Sequence, residues 1–238
     1  DDTFIVDKKR TIKLAEELIK RGNKIPYDSN CRADVKADVD FFKTLKKSGA
    51  RLFCVGFESG NNDVLKHMKK NLKLDIAQQF MKNTRKAGIM VHGCFMVGNL
   101  NETKETMEET LNLAKDLMPD TAQFFPIMVY PGTSAYEEAK QKGYLASEDF
   151  SDWLTEDGLH NSVVNLPNVT SRELVEFCDK ARKEFYLSPK YLTLKAMQSL
   201  KDPKELKRNI KGFKTLAKYL IRGSFSAEES KVTDQKTN

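Results

Sequence analysis

The sequence contains no run of about 18 apolar residues, so no membrane-spanning helix is expected. No basic stretch followed by an apolar segment opens the chain, and nothing in it suggests secretion. Cysteine is scarce and scattered: Cys31, Cys54, Cys94 and Cys178 form neither a disulfide framework nor a zinc spacing. Reduced thiols in a cytoplasmic protein are the expectation. The histidines, His67, His92 and His160, are too few and too scattered to argue for a histidine metal centre. His92 reads as a strand residue, and Cys54 and Cys94 as small buried hydrophobes.

What is present fits a soluble globular chain. Its 238 residues, 39% hydrophobic and 31% charged, can bury one sizeable core, alone or with an appendage. The net charge of +6 is unevenly placed, because residues 179–222 carry 13 Lys and Arg against 4 Asp and Glu. Such a segment could face nucleic acid, an anionic membrane or an acidic partner, although a solvated helical face is the simpler reading. The chain opens with Asp1 inside a motif, so a missing amino-terminal portion of the same protein is expected to precede it.

Strand-like and helix-like patterns alternate through residue 142. Residues 4–6 read as the end of a first strand, and 24–30, 51–57, 89–97 and 122–130 as four more. Helical spacing runs through 11–21, then through Val39, Phe42 and Leu45 to a stop at Gly49. It returns near 64–69, from an N-cap at Asp75 to Gly88, over 101–118 and over 134–141. Strands separated by helices in this way predict βαβ units and a parallel sheet. Five strands are too few to close an eight-stranded barrel, so the expected class is α/β, a partial TIM-like barrel lacking its first βα unit. The organisation read from the pattern is a core over 1–145, a linker over 146–169, a helical segment over 170–222 and a disordered tail over 223–238. Thr170 to Glu173 spells a capping box, and Ser188-Pro189 and Asp202-Pro203 place proline at the first helical position.

The strand ends carry the polar residues, and in such barrels the carboxyl ends of the strands build the active site. Asp1, Asp2 and Glu58 supply anionic oxygen suited to an ammonium, a cationic sulfur or a sugar diol. Arg32 supplies a forked cation suited to a carboxylate. Gly93 and Gly98 would let a flat ring lie against bare backbone. A nucleoside joined to an amino acid has this set of groups. Asp2 and Glu58 are also plausible helix caps, Arg32 can pair with Asp34 or Asp38, and Met128 can be core.

The order Asp1-Asp2-Thr3-Phe4, Cys31-Arg32, Gly56-Phe57-Glu58-Ser59-Gly60, Gly93 to Thr103 and Tyr130-Pro131-Gly132-Thr133 resembles the radical S-adenosylmethionine superfamily. It is closest to the branch that carries an upstream cobalamin-binding domain, with weaker likeness to hopanoid-biosynthesis members over 146–222. The resemblance implies S-adenosylmethionine as cofactor: Asp1 and Asp2 at its ammonium, Arg32 at its carboxylate, Glu58 and Ser59 at the ribose or methionine, and Gly93, Gly98, Met128 and Tyr130 at the adenine. It also implies a 4Fe-4S cluster, an electron donor and a 5′-deoxyadenosyl radical that acts on a C–H bond of a small-molecule, conceivably lipid-like, substrate. Methyl transfer and cyclisation both fit, as does a tRNA-methylthiotransferase-like reaction, although no β-rich RNA-binding module is evident. A non-catalytic scaffold or membrane-surface module using the last helix is the remaining alternative. Glu102 reads as structural, and Asn101, standing where relatives have glycine, as a residue that tolerates the left-handed region. The family's Cys-x3-Cys-x2-Cys loop is absent, so the cluster ligands are expected outside this chain.

Overall fold

The computed structural model describes residues 4–149, 153, 162–201 and 203–222. Four parallel strands, β1 (Tyr27–Cys31), β2 (Ala50–Glu58), β3 (Met90–Val97) and β4 (Thr121–Pro126), pair in sequence order. Helix α1 (Lys8–Lys20) precedes them, and α2 (Val39–Ser48) joins β1 to β2. Helices α3 (Asn62–His67) and α4 (Leu74–Ala87) join β2 to β3, and α5 (Lys104–Leu117) joins β3 to β4. Helix α6 (Ser134–Gln141) follows, then α7 (Ser171–Tyr186), α8 (Pro189–Lys201) and α9 (Pro203–Arg222). Sequential parallel strands with intervening helices form an arc of a TIM-like barrel, as the pattern predicted.

Several boundaries move, for local reasons. Residues 4–6 form a turn and not a strand. No described residues offer a ladder partner on the far side of β1, and Asp7 caps α1 immediately by accepting from the Arg10 amide. Asp75 is not the N-cap of α4; that place falls to Lys73, and Asp75 sits in the first turn, where its charge suits the positive helix end. Helix α5 starts after Thr103, which shares a capping box with Thr106. Strand β4 stops at Pro126, short of Tyr130, because its partner β3 ends at Val97, the Ile127 amide makes the last bond to the Val97 carbonyl at 2.7 Å, and Gly98 turns away in the left-handed conformation.

The two faces of the sheet differ. Phe53, Val55, Phe57, Val91, Phe95, Val97 and Phe124 are buried beneath the helices. Phe57, Phe95 and Phe124 stack across three strands with centroids 5.6 and 5.3 Å apart, and Phe124 meets Phe185 of α7 at 6.2 Å. The alternate residues, among them Cys54, His92, Cys94 and Met96, occupy the opposite face and are only half-buried.

The helical segment covers the β4 edge. The Tyr186 hydroxyl donates to the Ala122 carbonyl at 2.7 Å and accepts from the Ala122 amide at 2.9 Å, satisfying an edge strand that would otherwise expose both. At the amino end of β4, Asp120 accepts from Gln198 at 2.7 Å and from the Val91 amide at 2.9 Å, and Tyr191 donates to its carbonyl at 3.0 Å. Helix α9 packs mainly on α8, with Leu206, Ile210 and Phe213 about half exposed. No helix among the described residues is long and apolar enough to cross a membrane. Tyr186→Phe should lower stability by about 2 kcal/mol in urea denaturation, because it strips the partner from both Ala122 groups.

Candidate functional site

Glu58 ends β2 with φ +64°, in the left-handed region that a non-glycine residue rarely occupies. Its carboxylate folds back over Gly56, where an added Cβ would lie 2.1 Å from Glu58 Oε1 and 2.9 Å from Lys70 Nζ. Lys70 donates to Glu58 Oε1 at 2.6 Å, and both side chains are mostly buried. A glycine at 56 is therefore what makes room for the ion pair. Gly56 pairs in register with Cys94 of β3, so this charge pair lies beside the half-buried face.

The neighbouring turn is committed to the fold. Ser59 is fully buried, its hydroxyl 3.2 Å from Thr110 Oγ1 and accepting from the Asn61 amide at 3.1 Å. The Gly60 amide donates to Thr110 Oγ1 at 3.0 Å, and Asn61 caps α3. Ser59 thus ties the β2–α3 turn to α5 with its only hydroxyl. Arg32, just past β1, forms a two-pronged pair with Asp34 at 2.9 and 2.6 Å. That bond lowers the Asp34 pKa, and Lys70 adds to the effect from across the rim. Arg32 and Glu58 therefore stand on adjacent strand ends, each holding an internal counter-ion. Asp1 and Asp2 lie outside the described residues.

The β3–α5 turn is built on Glu102. Its Oε2 accepts from the amides of Gly98 at 2.7 Å and Asn99 at 3.0 Å, and burial pushes its pKa up to about 7. Gly98 takes the left-handed conformation at φ +89°, and an added Cβ would meet Leu174 of α7 at 2.8 Å. Asn101 does not need its left-handed tolerance, since the positive φ falls on Gly98. Gly93 does not present bare backbone to a ligand on its side-chain side. That space is filled by Phe95 and Pro119, each 3.0 Å from the missing Cβ, and by Phe57 at 3.3 Å. Met128 is half-buried, and Tyr130 is exposed with its ring 6.4 Å from Trp153.

The half-buried face holds a group that the sequence pattern assigned to the core. The sulfurs of Cys54 and Cys94 lie 3.7 Å apart, and these two with a ring nitrogen of His92 all fall within 4.8 Å of one another. His92 Nδ1 is 2.7 Å from Thr121 Oγ1, and burial lowers its pKa against the opposing effect of a hydrogen bond to Gln123. Burial pushes the Cys94 thiol up to about 12, and the neighbouring Cys54 adds to the shift. Lys70 and this trio are the members that sequence reading missed. Residue parity along β2 and β3 was the available signal; which face stays open was not.

Residues 4–114 match the model of the radical SAM superfamily. The chain belongs to that superfamily. It is 30% identical over 192 residues to an uncharacterised methyltransferase of Pyrococcus horikoshii, covering 81% of this chain and 41% of the relative. It is 31% identical over 145 residues to the anaerobic magnesium-protoporphyrin IX monomethyl ester cyclase of Cereibacter sphaeroides, covering 60% of this chain and 24% of the relative. The radical S-adenosylmethionine methyltransferase TsrM from Kitasatospora setae, solved with cobalamin and a [4Fe-4S] cluster bound, superposes with a TM-score of 0.62 at 16% identity. That match covers 79% of this chain and 43% of TsrM, and it supports the partial-barrel fold. The chain thus spans less than half the length of each relative.

Radical SAM proteins use S-adenosylmethionine with a 4Fe-4S cluster, and the described residues suit the two groups unequally. A cluster needs three converging thiolates. Here only Cys54 and Cys94 converge, while Cys178 is fully buried on α7 and the Cys31 thiol is buried and pushed up to about 12. The rim, by contrast, has the carboxylate and guanidinium that an amino-acid nucleoside calls for.

Proposed function

We propose that this chain supplies the S-adenosylmethionine-binding wall of a radical SAM enzyme that transfers a methyl group to a small-molecule substrate. The observation that carries the reading is Glu58, held at φ +64° on the rim with its carboxylate over Gly56, inside the segment that matches the superfamily. A residue kept in a costly backbone conformation at a strand end is a mark of a functional position. Glu58 would accept hydrogen bonds from the ribose or the ammonium, and Lys70 holds its carboxylate in place until the ligand arrives. Arg32 would exchange Asp34 for the methionine carboxylate, a like-for-like replacement of one bidentate partner by another. Asp1 and Asp2 remain assigned to the ammonium, and Gly98, Met128 and Tyr130 to the adenine side.

The bound cofactors supply one-electron chemistry; this wall supplies orientation and a water-poor surface. Similarity to a cobalamin-containing methyltransferase supports cobalamin as a further cofactor, and the similarity to a cyclase keeps ring closure as the competing outcome. An electron donor, and cluster ligands from polypeptide outside this chain, complete the proposal. Equilibrium dialysis with S-adenosylmethionine tests it. Glu58→Gln should weaken binding by about tenfold through loss of a charged acceptor. Unchanged affinity in that variant would remove Glu58 from the site.

A further inference from the structure

We propose that Cys54, His92 and Cys94 form a site for a soft divalent cation, zinc above all, with one coordination position open to a small-molecule donor. The geometry of the three donors carries the site, which adjoins the Glu58–Lys70 pair.

The spacing is that of a tetrahedral thiolate site before any metal is added. Zinc–sulfur bonds of about 2.3 Å at the tetrahedral angle require sulfurs about 3.8 Å apart. The Cys54 and Cys94 sulfurs are 3.7 Å apart. A zinc–nitrogen bond of about 2.0 Å requires a sulfur–nitrogen separation of roughly 3.5 Å, and all three donor atoms already lie within 4.8 Å of one another.

The sheet explains why they converge. Cys54 pairs in register with His92, and Cys94 follows two residues later on the same face of β3. A rigid pair of central strands therefore presents all three donors. The histidine is also oriented. Thr121 Oγ1 sits 2.7 Å from Nδ1, so a cation on the other ring nitrogen would find the ring already held, as a ligating histidine characteristically is by a partner on its second nitrogen.

The chemistry of the donor set selects the ion. Two sulfurs and an imidazole suit zinc or another soft metal, and reject magnesium and calcium, which need oxygen ligands. Two thiolates balance the charge of the cation: on binding, two S–H bonds give up their protons to solvent and two metal–sulfur bonds form, with no change of oxidation state. The adjacent Glu58 is neutralised by Lys70 and adds no net charge. Three protein ligands are the count that catalytic zinc sites use, leaving the fourth position for water or substrate.

Cobalt(II) is the probe for the test, added to the chelator-treated, reduced protein under anaerobic conditions. One equivalent should bind with a thiolate-to-metal charge-transfer band and tetrahedral ligand-field bands, and zinc should abolish both. Cys54→Ser, Cys94→Ser and His92→Ala should each weaken binding at least tenfold, and Thr121→Val roughly tenfold through loss of the orienting bond. Cys178→Ala, on the far side of the core, should leave the spectrum unchanged. Should the cysteine variants fail to fold, alkylation mapping of the unaltered protein replaces them, with zinc expected to protect Cys54 and Cys94. Absence of stoichiometric binding, an octahedral spectrum, a band that survives Cys54→Ser with Cys94→Ser, or equal alkylation with and without zinc would each overturn the site.

Discussion

Gly60→Ala is expected to destabilise the protein by about 3 kcal/mol or more, the upper range for overpacking. An added Cβ would stand 2.3 Å from the Glu109 carbonyl oxygen and 2.8 Å from the Thr110 amide nitrogen. Both are backbone atoms of α5, so no side-chain rotation relieves the contact. Helix α5 cannot retreat, because Leu111 and Ala114 on the same helix are fully buried in the core. The β2–α3 turn must lift instead, and it would lose the Gly60 and Ser59 bonds to Thr110. Since Glu58 lies two residues upstream, S-adenosylmethionine binding should fall with stability. Gly143→Ala provides the contrast. Gly143 also needs φ +68°, but nothing lies within 4 Å of its missing Cβ, so the cost should be only about 1 kcal/mol of backbone strain. Urea midpoints for the two variants measure the difference, and equal midpoints would show that the turn is not pressed onto α5.

Glu102 should make the protein less stable as pH rises from about 4.5 to about 7. Its native pKa is raised by burial from 4.5 to about 7. The native state therefore holds a proton through a range in which the unfolded chain has released it. The resulting stabilisation is fully present below the unfolded value and is lost as pH climbs through the native value. A shift of that size corresponds to roughly 3 kcal/mol. Glu102 Oε1 and Asn99 Oδ1 are both buried acceptors without a partner, so a proton brings a donor where none exists. Glu102→Gln retains an acceptor for the Gly98 and Asn99 amides but cannot titrate. The stability difference between wild type and this variant, measured by urea denaturation across that interval, should narrow or reverse with rising pH; a constant difference would place the titration elsewhere. Glu102→Ala should cost about 3 kcal/mol or more at about pH 4.5, since it leaves two buried amides unpaired, and the cost should shrink as pH rises and the wild type loses its proton-linked stability.

Much of the architecture follows from local signals. The alternation of apolar strands with amphipathic helices gave the parallel sheet, and glycines 49 and 88 stop α2 and α4 where the pattern placed them. The Thr170 capping box starts α7 as expected. These features are decided within one turn or one strand, by chain conformation and the nearest hydrogen-bonding groups. Where local signals failed, a partner remote in sequence was responsible. Residues 4–6 look like a strand but have no described neighbour to pair with, and β4 ends where its partner β3 turns away at Gly98.

The candidate site divides in the same way. Glu58 and Arg32 could be picked out because charged residues at strand ends are unusual whatever surrounds them. Ser59 sat in the same motif, yet its hydroxyl is spent on Thr110, 51 residues away. Gly93 looked like a floor for a ring, and the protein's own Phe57 and Phe95 occupy that space.

The sequence by itself determined that this is an α/β chain with charged residues at its strand ends, because periodicity and turn chemistry act over a few residues. Only the tertiary structure decided that Lys70 locks Glu58, and that Cys54, His92 and Cys94 share one face. Those facts depend on register between strands some 40 residues apart in the chain, and register is set by packing the whole sheet against its helices.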